Sequence, residues 1–452
     1  MKTTRRRFIR QTLNTALGTA CAHGMLGDLQ RTLAATSQAN DFKALVCIYL
    51  SGGNDGDNML VARGFDEYRN YAIGRDRLAV GRQALLPITP ATSDGREWGL
   101  HPSLTELQPL FAQKKLAILA NTGLLNAPLT REQYLAGSSA TPRLLFSHTD
   151  QMNYWHTSLP DRHDARTGWG GRLADALRAL NANARLSLSV SISGNNLFQS
   201  AEQVIPYQIS PEGSVGLLDY FEGSNPDMRE VAVREILALE PNNLFERAYR
   251  DLTKRAIENN LKLKTALGVT PPPVTYFPET DLGAQLKMIA RLLSVREPLG
   301  IKRQIFYCAI DGFDTHGAQY ETHATLLREV SQSLAAFYQA TVELGIADKV
   351  TTFTTSEFGR TWHSTGLGSD HGWGNHHLIL GGAVKGGDLY GKMPVQVEEG
   401  PDDSTSGRWI PTTSVDEYAA TLARWFGVSA TEMPLVVPNI GRFAKPNLGF
   451  MG

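Results

Sequence analysis

Five polar clusters in this chain could do chemistry. In Ser51-Gly52-Gly53-Asn54-Asp55-Gly56-Asp57-Asn58 the glycines permit tight turns, so Asn54, Asp55, Asp57 and Asn58 can gather oxygen ligands. The same composition suits an Asx-rich loop that satisfies only its own backbone. It is not an EF-hand, because no twelve-residue loop closes on a final Glu. In Asp311-Gly312-Phe313-Asp314-Thr315-His316-Gly317, a carboxylate and an imidazole two places apart can turn onto one cation. Such a pair is a normal donor set for Zn²⁺ or Mn²⁺; the alternative is a helix N-cap at Asp314. In Thr354-Thr355-Ser356-Glu357-Phe358-Gly359-Arg360, Glu357 can ligate a metal or act as a base, and Arg360 can grip an anionic substrate. A structural Glu–Arg pair is the competing reading. Ser369-Asp370-His371-Gly372-Trp373-Gly374-Asn375-His376-His377 places three of the chain's 11 histidines within a seven-residue span beside Asp370. His376 and His377 also fit an ordinary strand. Phe146-Ser147-His148-Thr149-Asp150 offers a nucleophile in Ser147. Adjacency does not put the His148 ring on its neighbour's hydroxyl, so metal activation is the better physical route; an Asx or ST turn is the alternative.

Most of these clusters follow short apolar runs of strand type. Residues 44–50, 116–120 and 305–310 are such runs, and 186–192, 350–355 and 378–380 read as further strands. Helical patterns alternate with them: one starting at His101 and carrying Leu104, Leu107, Leu110 and Phe111, then 169–180, the face of Leu282, Leu286, Ile289, Ala290 and Leu293, and 322–344. Ser414-Val415-Asp416-Glu417 has the form of a capping box opening a helix through Trp425. This alternation predicts an α/β fold with a mainly parallel sheet between helices. Ligands of such sheets bind outside the carboxyl ends of the strands, where these clusters sit. Residues 227–268 are helical, charged and free of strand patterns, and Pro271-Pro272-Pro273 follows them. Residues 200–275 therefore read as a helical insertion.

At 452 residues, 42% hydrophobic and 20% charged, the chain affords a large core and excludes general disorder. A formal net charge of −1 gives no support to nucleic-acid binding. Three cysteines cannot make a disulfide framework. Cys47 and Cys308 sit in apolar runs, where buried thiols are expected. The first 40 residues carry six Lys or Arg against one acid, so the rest holds 38 basic against 44 acidic residues.

That N-terminal excess belongs to Thr4-Arg5-Arg6-Arg7-Phe8-Ile9-Arg10, which resembles the twin-arginine signal read by the Tat translocon. The mildly apolar stretch after it is too short and polar to span a bilayer. Residues 1–40 are thus expected to be a signal, and the mature protein to be periplasmic or secreted. Cys21 is not a lipoprotein site, because Gly18 stands where a lipobox has Leu. Together, residues 48–58, Phe146-Ser147-His148, Gly312-Phe313-Asp314-Thr315-His316, Ser356-Glu357-Phe358-Gly359-Arg360 and Asp370-His371-Gly372-Trp373-Gly374 resemble the DUF1501 family in order.

That family is grouped with the alkaline phosphatase/sulfatase-like superfamily. The resemblance implies an alkaline-phosphatase-like α/β domain over 41–452 with divalent metal at the strand ends. It implies Asp55, Asp314, His316, Glu357, Asp370 and His371 as metal ligands, for Zn²⁺, Mn²⁺ or Ca²⁺. Ser147, His148, Glu357 and Arg360 are the implied catalytic set, acting on a small anionic phosphate or sulfate ester. The sequence departs from the superfamily in one respect: its Asp-His pair normally follows a strand directly, where this chain has Ser356-Glu357, and Asp370-His371 comes later. The second function class is an exported binding or assembly protein that keeps the pocket without turnover, partnered with a DUF1800 protein.

Overall fold

The structure, a computed structural model, describes residues 42–213 and 228–452. The expected export signal lies outside the described residues. Fourteen strands follow in chain order: β1 Lys43–Leu50, β2 Leu60–Ala62, β3 Leu86–Ile88, β4 Trp98–Leu100, β5 Leu116–Gly123, β6 Ser189–Ser191, β7 Tyr207–Gln208, β8 Arg303–Ile310, β9 Val350–Thr355, β10 Arg360–Ser364, β11 Ser369–His371, β12 Asn375–Gly381, β13 Leu389–Gly391 and β14 Thr413–Ser414. The main helices are α1 Phe65–Arg75, α2 His148–Thr157, α3 Trp169–Leu177, α4 Met228–Ala238, α5 Leu244–Val269, α6 Asp281–Ser294, α7 Gln319–Glu343 and α8 Val415–Phe426.

One nine-stranded sheet runs β13-β5-β12-β9-β1-β8-β6-β7, with β14 also on β5. The pairings of β1 with β8 and β9, and of β6 with β7 and β8, are parallel. The fold is thus α/β with a mainly parallel sheet, as the strand–helix alternation predicts. In β1 the side chains alternate between two cores. Ala44, Val46, Ile48 and Leu50 join the core that includes Leu286 and Ile289 of α6 and Leu327 of α7. Leu45, Cys47 and Tyr49 join the core of Trp169 of α3 and Leu422 of α8. A strand buried on both faces reads as a continuous apolar run because neither face meets water.

Three expectations change. The helix expected from His101 begins only at Leu107, in the short helix Leu107–Ala112. Strand β12 is antiparallel to both β5 and β9. It reaches the sheet through the β10–β11 hairpin without a crossover helix, so it re-enters from the end at which β9 left. Within 200–275 the described elements are α4, α5 and the edge strand β7, which pairs with β6. Helix α8 does open on the expected capping box, with Ser414 and Glu417 bonded reciprocally.

Burial sets a pH dependence. His101, His156, His323 and His377 are pushed down to about 3 and His376 to about 4, in each case chiefly by burial. In the unfolded chain these rings titrate near ~6.5. They therefore stabilise the fold above that pH, and the contribution is lost as the pH falls toward their folded values. Asp57 and Asp416 act oppositely. Burial raises both to about 7, so their contribution is full below ~4 and lost as the pH rises toward 7. Five groups outnumber two, and each proton difference is worth about 1.4 kcal/mol per pH unit. The urea midpoint, measured in chelator, is expected to fall steeply from pH 7 to pH 5. A flat profile would contradict burial of neutral histidines.

Candidate metal centre

Loop 51–58 leaves β1 at its carboxyl end and approaches the β8 loop closely. Gly52 has φ +115°, and a β-carbon there would lie 2.2 Å from the Asp314 nitrogen. Only glycine permits that contact. From this position Gly52 N–H donates to Glu357 Oε1 at 2.8 Å, and its carbonyl accepts from Arg360 Nη1 at 3.2 Å. Ser356 donates to the Leu50 carbonyl at 2.7 Å and accepts from Asn54 N–H at 3.0 Å, tying the ends of β1 and β9 together.

Four side chains converge above this frame. Asp314 Oδ1 lies 3.0 Å from His316 Nε2 and 3.3 Å from His371 Nε2, while Oδ2 lies 3.4 Å from His148 Nε2. The Nε2 atoms of His316 and His371 are 3.0 Å apart. The β10–β11 hairpin accounts for the arrival of His371. Arg360 pairs with His371 across it, so a residue late in the sequence returns to the end of β9.

The other ring nitrogens fix the tautomers. His371 Nδ1 lies 2.6 Å from the Phe146 carbonyl, which only accepts, so Nδ1 carries the proton and Nε2 the lone pair. Phe358 stacks on the His371 ring at 4.6 Å. His148 Nδ1 lies 2.8 Å from Glu357 Oε1, which likewise turns the Nε2 lone pair of the neutral ring toward Asp314. His148 Nε2 is buried without a hydrogen-bond partner. Such an orphaned nitrogen, facing a carboxylate and two further imidazoles, fits a cation. A buried carboxylate behind a ligating imidazole is the usual supporting arrangement.

Electrostatics agree with this geometry. The Glu357 hydrogen bond raises His148 despite partial burial. Burial lowers His371. Burial works against ionisation of Asp314, but the Arg360 hydrogen bond and the His148 and His316 rings outweigh it and hold the carboxyl below its ordinary range. The Asp314 and His316 side chains are about half exposed, at 46% and 50%, so the centre opens to solvent.

Asp370 stands at the rim. It groups with His316 and His371 as a second set of donors, but its Oδ2 is paired with Arg408 at 2.8 Å. Burial opposes its ionisation, while the His371 N–H and Arg408 hold its carboxyl low.

Several expected roles are corrected. Asp55 is not in the cluster: its side chain is fully buried, paired with Arg75 and bonded to Gln319, and it caps the turn 56–59. Asp57 accepts from Trp409 at 2.9 Å and Gln396 at 2.8 Å, so both acids of the first cluster are engaged by side chains from distant segments, beyond the loop's own backbone. Glu357 stands one imidazole behind the cluster, because its oxygens are taken by His148, Gly52 and Ser356. Arg360 cannot grip a substrate: its side chain is fully buried and spent on Asp314, Gly52 and Ser369. The Ser147 hydroxyl donates to Asp150 at 2.6 Å. His376 and His377 are buried in β12, where His376 Nδ1 accepts from Asn121 N–H at 2.9 Å. The sequence reading missed the Phe146 carbonyl and His148 as a member of the donor set. The motif Phe146-Ser147-His148 carried the signal, but its hydroxyl drew the attention.

The family model described as "Protein of unknown function (DUF1501)" matches residues 42–415. None of the curated proteins matches the chain. Among solved structures the chain is similar to a sulfatase from Pseudoalteromonas sp., at 10% identity and TM-score 0.36, over 90% of this chain and 72% of the other. It is similar to the protein titled Ps i-CgsB at 12% identity and TM-score 0.35, over 89% and 77%. It is also similar to a phosphonate monoester hydrolase of Agrobacterium radiobacter at 9% identity and TM-score 0.34, over 87% and 77%.

Proposed function

From the premise that the chain belongs to the DUF1501 family, we propose that it is a divalent-metal-dependent hydrolase of phosphate or sulfate esters. The observation that carries this reading is the convergence of three imidazole Nε2 atoms on the Asp314 carboxylate at a solvent-open strand end. His148, Asp314, His316 and His371 would hold the cation, with Asp370 at the edge. Three nitrogens and a carboxylate suit Zn²⁺ or Mn²⁺ better than Ca²⁺, which prefers an all-oxygen shell. When bound, the cation supplies Lewis acidity toward an ester oxygen and lowers the pKa of water.

The chain's own residues do the positioning. Glu357 fixes the His148 ring, Arg360 holds Asp314 in place, and the Phe146 carbonyl with the Phe358 ring holds His371. In the metal-free state the His148–Glu357 pair retains a proton more readily than a free imidazole. Among the described residues no helix is long and apolar enough to cross a membrane. Export through Tat to the periplasm or beyond, proposed from Arg5 and Arg6, would place this chemistry outside the cytoplasm.

A second reading has its own support. Arg360 is buried and engaged with Asp314, and the Ser147 hydroxyl is bonded to Asp150 rather than to any residue of the cluster, so the groups expected to bind and attack an anionic ester are not assembled around the centre. An exported binding or assembly protein, for instance with a DUF1800 partner, would need neither. Elemental analysis of the purified mature protein, followed by assays on aryl phosphate, phosphodiester and sulfate esters with Zn²⁺ or Mn²⁺, separates the two. About one equivalent of metal and metal-dependent turnover are expected. Metal-free protein, or metal without turnover of any ester, would remove the hydrolase reading.

A further inference from the structure

Beside the centre lies a cleft of about 770 Å³ at the ends of β1, β6 and β8, walled by α2 and α6. The two share α2 and the loops after β1 and β8. His148, Met152 and His156 recur every four residues on one face of α2, with His148 in the centre and the other two lining the cleft. Ser51 lines the cleft while its neighbour Gly52 holds Glu357. Asp311 lines it three residues before Asp314.

Among the described residues the lining includes Glu212, Asp281, Asp311 and Glu329 and no Lys or Arg. Its inner wall is aromatic. Tyr49 and His156 lie 5.1 Å apart between ring centroids, His156 and Tyr307 5.7 Å, and Tyr49 and Tyr307 6.5 Å. His156 is only 4% exposed, and its Nδ1 is buried without a partner although the ring lines the cleft. Burial holds that ring down to about 3, so it adds no positive charge to the wall. Carboxylates at the rim, with a compact group of aromatic rings bordering the inner wall, repel an anion and attract an organic cation.

We propose that this cleft binds an alkylammonium group, so that the substrate of the neighbouring centre is the phosphate or sulfate ester of an amino alcohol. The assignment of an ester rests on the hydrolase reading above; the ammonium site does not. Calorimetric titration of the full protein with choline, and with its uncharged isostere 3,3-dimethylbutan-1-ol, tests the site directly. Choline is expected to bind about tenfold or more tightly than the isostere. Asp311→Asn, and separately Asp281→Asn, should each weaken choline several-fold while leaving the metal content unchanged. Equal binding of the two probes, or no binding of choline to wild-type protein, would overturn the proposal. Phosphocholine hydrolysis is then compared with that of glycerol phosphate. Choline binding without hydrolysis of these esters, of choline sulfate or of any ester in the assays above upholds the cleft and removes the hydrolase reading. Hydrolysis without choline binding or preference for phosphocholine removes the cleft and leaves the hydrolase.

Discussion

Replacing Asp314 by alanine is expected to empty the centre. Its carboxylate faces the Nε2 atoms of His148, His316 and His371, so its loss leaves three imidazoles to share one cation without a compensating charge. Bound metal should drop from about one equivalent to a trace. Ester hydrolysis should fall by about a thousandfold or more, because metal-ion catalysis is worth several kcal/mol and each 1.4 kcal/mol is a factor of ten. The variant also strips Arg360 of a partner in a buried position, so some loss of stability accompanies it. His371→Ala separates the effects. It removes a nitrogen donor without leaving a buried charge, and should lose metal and activity while melting near the wild type. Full metal content in both variants would show that the convergence of these side chains serves packing alone.

The largest effect on stability is expected at Arg75, which no reading of the chemistry would single out. Its side chain is fully buried and paired with Asp55. It also donates to the carbonyls of Thr361 at 2.7 Å and Trp362 at 3.2 Å and to Asn58 Oδ1 at 3.2 Å. This one guanidinium therefore fastens the loop after β1 to the start of β10, the hairpin that delivers His371. Arg75→Met leaves the Asp55 carboxylate buried and uncompensated, with a cost of about 3–5 kcal/mol. Urea unfolding should show the loss as a lower midpoint. The double variant Arg75→Met with Asp55→Asn should recover part of it, because the stranded charge is gone. A loss below about 1 kcal/mol in the single variant would mean that water reaches the site and solvates the acid.

The sequence by itself determined the α/β class. Strands buried on both faces are mostly apolar, so β1, the first half of β5 and the end of β8 are readable as apolar runs, β9 is readable from its β-branched Val and Thr, and the capping box of α8 is local chemistry. It also marked Asp314, His316 and His371 as candidates, because an acid and imidazoles close together in glycine-bearing loops beyond strands offer a mixed oxygen and nitrogen donor set. What it could not decide was which of several similar clusters meet. Asp55 and Asp314 look alike in sequence. One is neutralised by Arg75 from a helix 20 residues on, and the other is left facing three imidazoles. Likewise Glu357 and His148 are 209 residues apart, and only tertiary packing sets the first behind the second rather than among the groups that meet at Asp314. The antiparallel entry of β12 and the fold-back of β10–β11 are long-range outcomes of the same kind. Local pattern records whether a residue will be buried. Which charge it meets there depends on the path of the whole chain, and that meeting separates a ligand from a buttress.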